Sequence, residues 1–467
     1  MKEYDLVVIG SGAGMNVAVK ARQKEMHVAL IESGPMGGTC LNKGCIPSKI
    51  FIHPADVIRE MEGARNIGVH SSVKNVDFKV IHKRMWDHVL EGKQSMEKGV
   101  KADAGMDLYT EPGRFTAPKT IRSGKTTMHS DRIVVACGAR PRVPPVPGLE
   151  ETGFLTSETV FDIDEIPGSI IILGGGYIGC EFAHFFSSMG SKVTIVGRSP
   201  ALLSREEPEV SMLLQEVMSR HTDLKLGHEA VSVSSSRKGK KVVFKDRKTK
   251  AEGEVEGDEI LVATGVRSNA DLIDAKAGGI KLDARGYVVA NEYLETSVPG
   301  IWALGDIIGR NMFRHTANYE SQVVWKNIST KRTKADEHAV PYAVFTHPQV
   351  AGVGMTEAEA KKSGKNILVG RGTFSDCAMG YAMAVEESLV KVVVDAENLR
   401  ILGVRIVGPQ ASILLQPFVY LMNAGDGTFM PLAHSQIIHP ALSEAVVGAL
   451  NDLHDPDANP HNKQHNH

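Results

Sequence analysis

The run Gly37-Gly38-Thr39-Cys40-Leu41-Asn42-Lys43-Gly44-Cys45-Ile46-Pro47-Ser48-Lys49 carries the side chains best suited to chemistry in this sequence. Cys40 and Cys45 are too far apart for the short knuckle of a structural zinc site, and no second Cys or His pair accompanies them. Their spacing fits a redox disulfide. A helix opening at Cys45 would set its sulfur at the positive end of the helix dipole, lowering the thiol pKa and keeping the thiolate available. Cys137, Cys180 and Cys377 are isolated in apolar surroundings and read as inert. A cycling disulfide also needs a proton carrier. His439-Pro440-Ala441-Leu442-Ser443-Glu444 offers a histidine with a carboxylate close behind to orient it. On the residues alone, His434 and His347-Pro348 are equal candidates.

Two glycine-rich turns point to dinucleotides. In the first, an apolar run over residues 5–9 meets Gly10-Ser11-Gly12-Ala13-Gly14, a helical stretch follows, and a second strand ends in Glu32. Gly10 supplies the tight turn, and Gly12 lets the backbone approach a pyrophosphate at a helix N-terminus. Met15 stands where the pattern asks for a third small residue, with Gly14 beside it to relax the packing. Glu32 is placed to accept hydrogen bonds from ribose hydroxyls. The second turn, Gly174-Gly175-Gly176-Tyr177-Ile178-Gly179, matches all three glycines. Its second strand ends in Gly197-Arg198 with no carboxylate to meet a 2′-hydroxyl, so NADP is expected over NAD. Arg198 would pair the 2′-phosphate and Arg205 would reach it too, with ordinary surface arginines as the alternative reading.

These motifs need elements to hold them, and the chain is long enough. At roughly 150 residues per domain, 467 residues suggest about three domains. Hydrophobic residues make up 42% and charged residues 23%, with apolar stretches no longer than strands, so a globular rather than membrane-spanning protein is expected. Lys and Arg (53) nearly balance Asp and Glu (55), leaving no positive field for nucleic acid. With five cysteines and no apolar leader before a small-residue cleavage site, a cytoplasmic enzyme is expected. The proline-rich run over residues 138–148 marks a stiff connection between domains. The basic run over residues 237–241 reads as a solvated hairpin, and the His-rich residues 454–467 as a disordered tail.

Taken together, the Cys40–Cys45 run, both dinucleotide units, Gly305-Asp306 and the His439–Glu444 motif resemble the FAD-dependent pyridine nucleotide–disulfide oxidoreductases (class I) over residues 2–453. The resemblance implies an α/β fold with two Rossmann-like domains, for FAD and NAD(P), and a C-terminal α+β dimerisation domain. It divides the chain into an FAD-binding domain (1–148), an NAD(P)-binding domain (149–270), a central segment completing the FAD domain (271–339) and a dimerisation domain (340–453). It assigns Gly10, Gly12, Gly14, Glu32, Gly38, Thr39, Gly138, Asp306 and Ala317 to FAD, and Gly174, Gly176, Tyr177, Gly179, Arg198, Arg205 and Gly265 to the nicotinamide dinucleotide. Lys49 and Glu181 are implied as an ion pair beside the flavin. Ala136-Cys137-Gly138 departs from the usual Ala-Thr-Gly, whereas Ala263-Thr264-Gly265 keeps it. The implied mechanism passes electrons from the nicotinamide through the flavin to Cys45, after which Cys40 exchanges with a small-molecule disulfide, with His439 and Glu444 moving the proton. In this family that histidine serves the disulfide of the other subunit, so a homodimer with shared sites is implied.

The residues point to two substrate classes. The Cys45–Lys49 and His439–Glu444 segments look most like the dihydrolipoyl dehydrogenases, which act on a lipoyl group and use NAD. Residues 49–57, 181–187 and 376–383 are similar to the mycothione reductases, and Gly197-Arg198 suits an NADPH-consuming reductase of a low-molecular-weight disulfide. Mercuric reductases need a C-terminal cysteine pair, and the last cysteine here is Cys377. The leading expectation is the dihydrolipoyl dehydrogenase type and the second the NADPH-dependent reductase. A silent flavoprotein acting as a binding partner is the reading from another class, opposed by the intact Cys40, Cys45, Lys49, Glu181, His439 and Glu444.

Overall fold

A computed structural model describes residues 1–237 and 239–458. Its frame is two parallel sheets of the same design. In the first, the strands lie in the order Ile301–Ala303, Ile133–Val135, Leu6–Ile9, Val28–Ile31 and Met106–Tyr109, all parallel. Their central residues are apolar on both faces, as expected of strands covered by helices on each side. Parallel strands all end on one edge. Gly10, Glu32, the turn 136–138 and Gly305-Asp306 therefore converge from four separate strand ends onto one crevice, the usual binding edge of such a sheet.

The second sheet repeats the plan with strands Leu155–Thr156, Glu259–Val262, Ser169–Leu173, Lys192–Gly197 and Thr222–Leu226, bringing Gly174, Arg198 and Gly265 to one edge. The basic hairpin is formed by strands His228–Ser236 and Gly239–Asp246, and Lys240 and Lys241 pair with Glu259 and Glu254 on neighbouring strands. Its Lys238 lies outside the described residues. The proline-rich connection is pinned: Val233 donates its N–H to the Pro147 carbonyl at 2.8 Å, and strand Ala139–Pro141 pairs with Val266–Ser268.

The C-terminal part is an antiparallel sheet ordered Pro341–Val344, Gln349–Gly354, Ile401–Gly408, Leu389–Asp395 and Ile367–Gly372, with helices including Gln416–Met422 and Ser443–Asn451 packed against it. One expectation needs correction here. The chain does not leave the sheet at residue 454, because His454 exchanges two backbone hydrogen bonds with Val369. The rest of the His-rich tail, residues 459–467, lies outside the described residues.

The core that matters most for the site crosses these parts. The helix Cys45–Gly63 lays Phe51 against Phe185 of the helix Tyr177–Ser188, with ring centroids 4.9 Å apart, and Phe78, Phe161 and Phe182 close the cluster. Val344, Val350 and Val407 of the C-terminal sheet join it. Aromatic packing of this kind fixes the two helices face to face.

Candidate active site

Cys40 sits in the short helix Gly38–Asn42, and Cys45 is the first residue of the helix Cys45–Gly63. The turn between them is tight, since a Cβ on Gly44 would stand 2.9 Å from the Thr39 carbonyl oxygen and 3.3 Å from the Cys40 Cα. The two sulfurs are within hydrogen-bonding reach. The Cys40 S–H donates to Cys45 and Lys49 adds positive charge, which together bring the Cys45 thiol down to about 7 against the burial that opposes them. The same hydrogen bond pushes the Cys40 thiol up, and burial adds to it. The pair thus holds one proton on Cys40 and a thiolate on Cys45 near neutral pH.

One turn along, Lys49 reaches Glu181 on the facing helix with Nζ–O distances of 2.7 and 3.0 Å. Glu181 also accepts the Phe345 N–H at 3.0 Å, and the Lys49 ammonium lies 4.6 Å from the Phe345 ring centroid. A second contact continues the seam, with His184 and Asp56 2.8 Å apart. Cys137, Cys180 and Cys377 take no part. Burial pushes the Cys137 thiol to about 12 and the Cys180 thiol higher still, and Cys377 donates to the Phe374 carbonyl.

The first glycine turn forms a cradle that side chains would fill. A Cβ on Gly10 would meet the Ala136 carbonyl oxygen at 2.4 Å, and one on Gly38 the Gly12 Cα at 2.8 Å. Gly14 is the residue that lets helix and strand close up, because a Cβ there would stand 2.9 Å from Val8 and 3.0 Å from Ala136. Met15 is simply buried, so the missing third small residue of the pattern is supplied one position earlier. Glu32 accepts from the Ser11 N–H and hydroxyl and from the Gly34 N–H, which holds its carboxylate at the mouth of the turn. Thr39 is exposed on the same face, and Gly138 takes a left-handed turn at φ 66°.

Across the crevice, the Asp306 carboxylate has no hydrogen-bond partner among the described residues, and burial pushes its pKa up. Ala317 approaches Gly305 closely, with 3.3 Å from its Cβ to a Cβ placed there. Glu320 accepts the Gly305 N–H through one oxygen, while its other oxygen is buried without a partner. A backbone cradle for a pyrophosphate beside the half-buried, unpartnered Asp306 and the unsatisfied buried oxygen of Glu320 is the chemistry an FAD would complete, so these residues fit that group.

In the second unit, Gly174 (φ 121°) and Gly179 exclude side chains, with 2.4 Å to the Ala263 carbonyl oxygen and 2.0 Å to that of Gly174, while Gly176 faces open space. Gly265 turns left-handed at φ 99°. Tyr177 opens the helix, donates to Glu206 at 3.0 Å and stacks on Tyr342 and Phe313 with centroids 5.7 and 6.3 Å away. Arg198 is exposed at the strand end; Arg205 is exposed on the following loop, where Ser204 bonds Ser199 at 3.1 Å, and no contact joins the two arginines among the described residues. Two further residues meet Arg198 that reading along the strand did not find. Arg247 donates to the Arg198 carbonyl at 3.1 Å, and Glu229 lies 3.7 Å from Arg198. The carboxylate missing from the strand end is thus brought in from the strand His228–Ser236 of a separate three-stranded sheet.

His439 and Glu444 form a pair, Nδ1 to Oε1 2.7 Å, and the Ala441 N–H holds the other carboxylate oxygen at 3.0 Å. Because a carboxylate only accepts, Nδ1 carries the proton and Nε2 faces outward on a side chain that is 72% exposed. The rival histidines fall away: burial brings His347 down to about 4, and among the described residues no carboxylate bonds His434. Among the described residues, no hydrogen bond or ion pair joins His439 or Glu444 to Cys40 or Cys45 of the same chain.

Family models bear on both halves. One described as pyridine nucleotide-disulphide oxidoreductase matches residues 4–321, and its dimerisation domain matches residues 340–450. The chain is 34% identical over 465 residues to a mycothione reductase of Mycobacterium tuberculosis, covering 96% of this chain and 99% of that one. It is 32% identical to a dihydrolipoyl dehydrogenase of Thermus scotoductus, covering 97% and 98%. Among solved structures, the HOCl-induced flavoprotein disulfide reductase RclA of Escherichia coli, as its Cu(II) complex, superposes with a TM-score of 0.86 at 26% identity, covering 97% of this chain and 99% of that one.

Proposed function

This chain belongs to the pyridine nucleotide–disulphide oxidoreductases, flavoproteins that act on sulfur groups with FAD and NAD(P), and from that premise we propose that it is an NADPH-dependent reductase of a small-molecule disulfide. The observation that carries this reading is the meeting of Arg198 and Arg247 at the strand end of the second unit, where Arg247 donates to the Arg198 carbonyl and both guanidinium groups come within 4 Å of Glu229, two cations where a 2′-phosphate would lie. The segments similar to mycothione reductases support it, because residues 49–57 and 181–187 face each other through Lys49–Glu181 and Asp56–His184.

Bound FAD supplies a two-electron relay between the nicotinamide and the disulfide. The chain's own residues do the rest. Glu181, held by Lys49 and the Phe345 N–H, keeps the charge beside Cys45 balanced. Cys45 carries the thiolate, and Cys40 attacks the substrate disulfide. His439, its Nδ1–H on Glu444, presents Nε2 to take and return the proton. Among the described residues no hydrogen bond or ion pair joins it to the cysteines of its own chain, and we place it at the Cys40–Cys45 site of a second copy, joined through the domain at residues 340–450.

A second reading, the dihydrolipoyl dehydrogenase type acting on a free or domain-bound lipoyl group with NAD, has one specific feature in its favour: Glu229 beside Arg198 supplies a carboxylate for a 2′-hydroxyl. Steady-state turnover of the FAD-loaded protein with NADH and NADPH, each against lipoamide and a panel of cystine-type disulfides, separates the two. NADPH turnover of a small disulfide with lipoamide inert is expected. Lipoamide turnover on NAD(H) would establish the second reading. In the first case, Arg198→Ala combined with Arg247→Ala should raise KM for NADPH by about 10- to 100-fold and leave NADH unaffected, as expected for two charge-assisted phosphate contacts.

A further inference from the structure

Arg314 opens the helix Arg314–Ser329, and its half-buried guanidinium makes no hydrogen bond or ion pair with any described residue. It is not far from the site. Its Nη1 lies 3.7 Å from the point where a Cβ on Gly12 would stand, and the Gly38 Cα lies 3.9 Å from that same point. Gly38 begins the helix Gly38–Asn42 that carries Cys40. Arg314 is therefore packed over the junction of the first glycine turn and the cysteine helix, with its donors free. A half-buried guanidinium without an acceptor costs free energy until an anion meets it.

On the disulfide-reductase reading above, we propose that Arg314 is a positioning residue for thiol–disulfide exchange, its guanidinium stabilising the Cys40 thiolate as that sulfur attacks the substrate. His439 takes the Cys40 proton, the resulting thiolate forms a bond to one substrate sulfur as the substrate S–S bond breaks, and the leaving thiolate takes that proton back. Cys45 then displaces the second thiolate, which is protonated in turn, and the Cys40–Cys45 disulfide re-forms, so that two electrons have passed to the substrate. Cys40 needs such help. Its S–H bond to Cys45 and its burial both hold the proton on, and Arg314 acts in the opposite direction. Cys45 is the other titratable group facing it, with Lys49 and Glu181 behind Cys45.

The test compares wild type, Arg314→Gln and Arg314→Lys as FAD-loaded, two-electron-reduced protein. The pH midpoint of Cys40 alkylation by iodoacetamide, read by peptide mapping, is measured beside the rate of reoxidation by 2-hydroxyethyl disulfide, a neutral probe. Arg314→Gln should move the Cys40 midpoint up by about one pH unit and slow reoxidation at neutral pH about tenfold, while the Lys variant stays within about twofold of wild type. An unchanged midpoint in the Gln variant overturns the proposal. Loss of FAD without a shifted midpoint also overturns it, by placing the guanidinium on the dinucleotide. If the midpoint shifts but wild-type reduced protein is not reoxidised by any disulfide, the electrostatic assignment stands and the disulfide-reductase reading falls.

Discussion

Replacing Lys49 by Met and Glu181 by Gln should move the Cys45 thiol in opposite directions. Lys49 follows Cys45 by one helical turn, which separates their Cβ atoms by about 5–6 Å. A full charge about 7 Å away in a medium of effective dielectric about 20 is worth about 2.4 kcal/mol, close to two pH units. Part of that is cancelled, because the Lys49 Nζ lies 2.7 Å from the Glu181 carboxylate, whose negative charge raises Cys45. A net shift of about one unit each way is the consequence. In Lys49→Met the positive charge is gone and Glu181 is left uncompensated, so Cys45 rises from about 7 toward or beyond the ordinary thiol value. In Glu181→Gln the ammonium is unopposed and Cys45 falls below about 7. Titration of the thiolate-to-flavin absorbance in the two-electron-reduced protein reads the midpoint directly. Because the thiolate is the absorbing form, the band should persist to lower pH in Glu181→Gln and vanish at higher pH in Lys49→Met. Shifts of the same sign in both variants, or shifts below about 0.3 unit in both, would refute the assignment of Lys49 and Glu181 as the charges that set Cys45.

Cys45→Ser should retain FAD and lose disulfide turnover, and undiminished turnover of the purified variant would remove Cys45 from the redox pair. His439→Gln should lower kcat by on the order of 10² to 10⁴ while Cys40 still alkylates, and a loss smaller than threefold would exclude it as the proton carrier. Lys391→Met tests the fold rather than the chemistry. Lys391 is 3% exposed and bonds Glu207 at 3.1 Å and Glu357 at 2.8 Å, with Glu209 also in contact; Arg371 still holds Glu209 and Glu357, so the loss of Lys391 strands the buried Glu207 carboxylate at the seam between the second unit and the C-terminal sheet. Denaturant unfolding should show a loss of about 3–5 kcal/mol, and a change below about 1 kcal/mol would mean that the carboxylate relaxes into water.

Much of this was legible in the residues because the signals are local. A strand, a glycine turn and a helix follow one another within a few residues, so Gly10, Gly12, Gly174, Gly176 and Gly179 declare the backbone they require. Cys45 declares itself in the same way, since the helix whose N-terminus it occupies begins at the cysteine itself. His439 and Glu444 are close enough in the chain to bond once the turn between them forms. Even the departure at Met15 was resolved locally, by Gly14 one residue earlier.

The parts that stayed hidden are contacts between elements far apart in the chain. Nothing near Arg198 announces Glu229, which arrives on the strand His228–Ser236 of a separate three-stranded sheet, or Arg247, which arrives in the turn after the strand Gly239–Asp246. Nothing near Glu181 announces the Phe345 N–H, or near Tyr177 the ring of Tyr342, and both come from the C-terminal sheet. Arg314 reads as one more charged residue at a helix start until the fold lays it over Gly12 and Gly38. The sequence by itself determined the chemistry that could be done, because turn geometry and helix ends are written in neighbouring residues. Tertiary structure decided which distant charges join the local Lys49 around that chemistry, because an electrostatic field depends on distance in space, which packing sets and chain order beyond a helical turn does not.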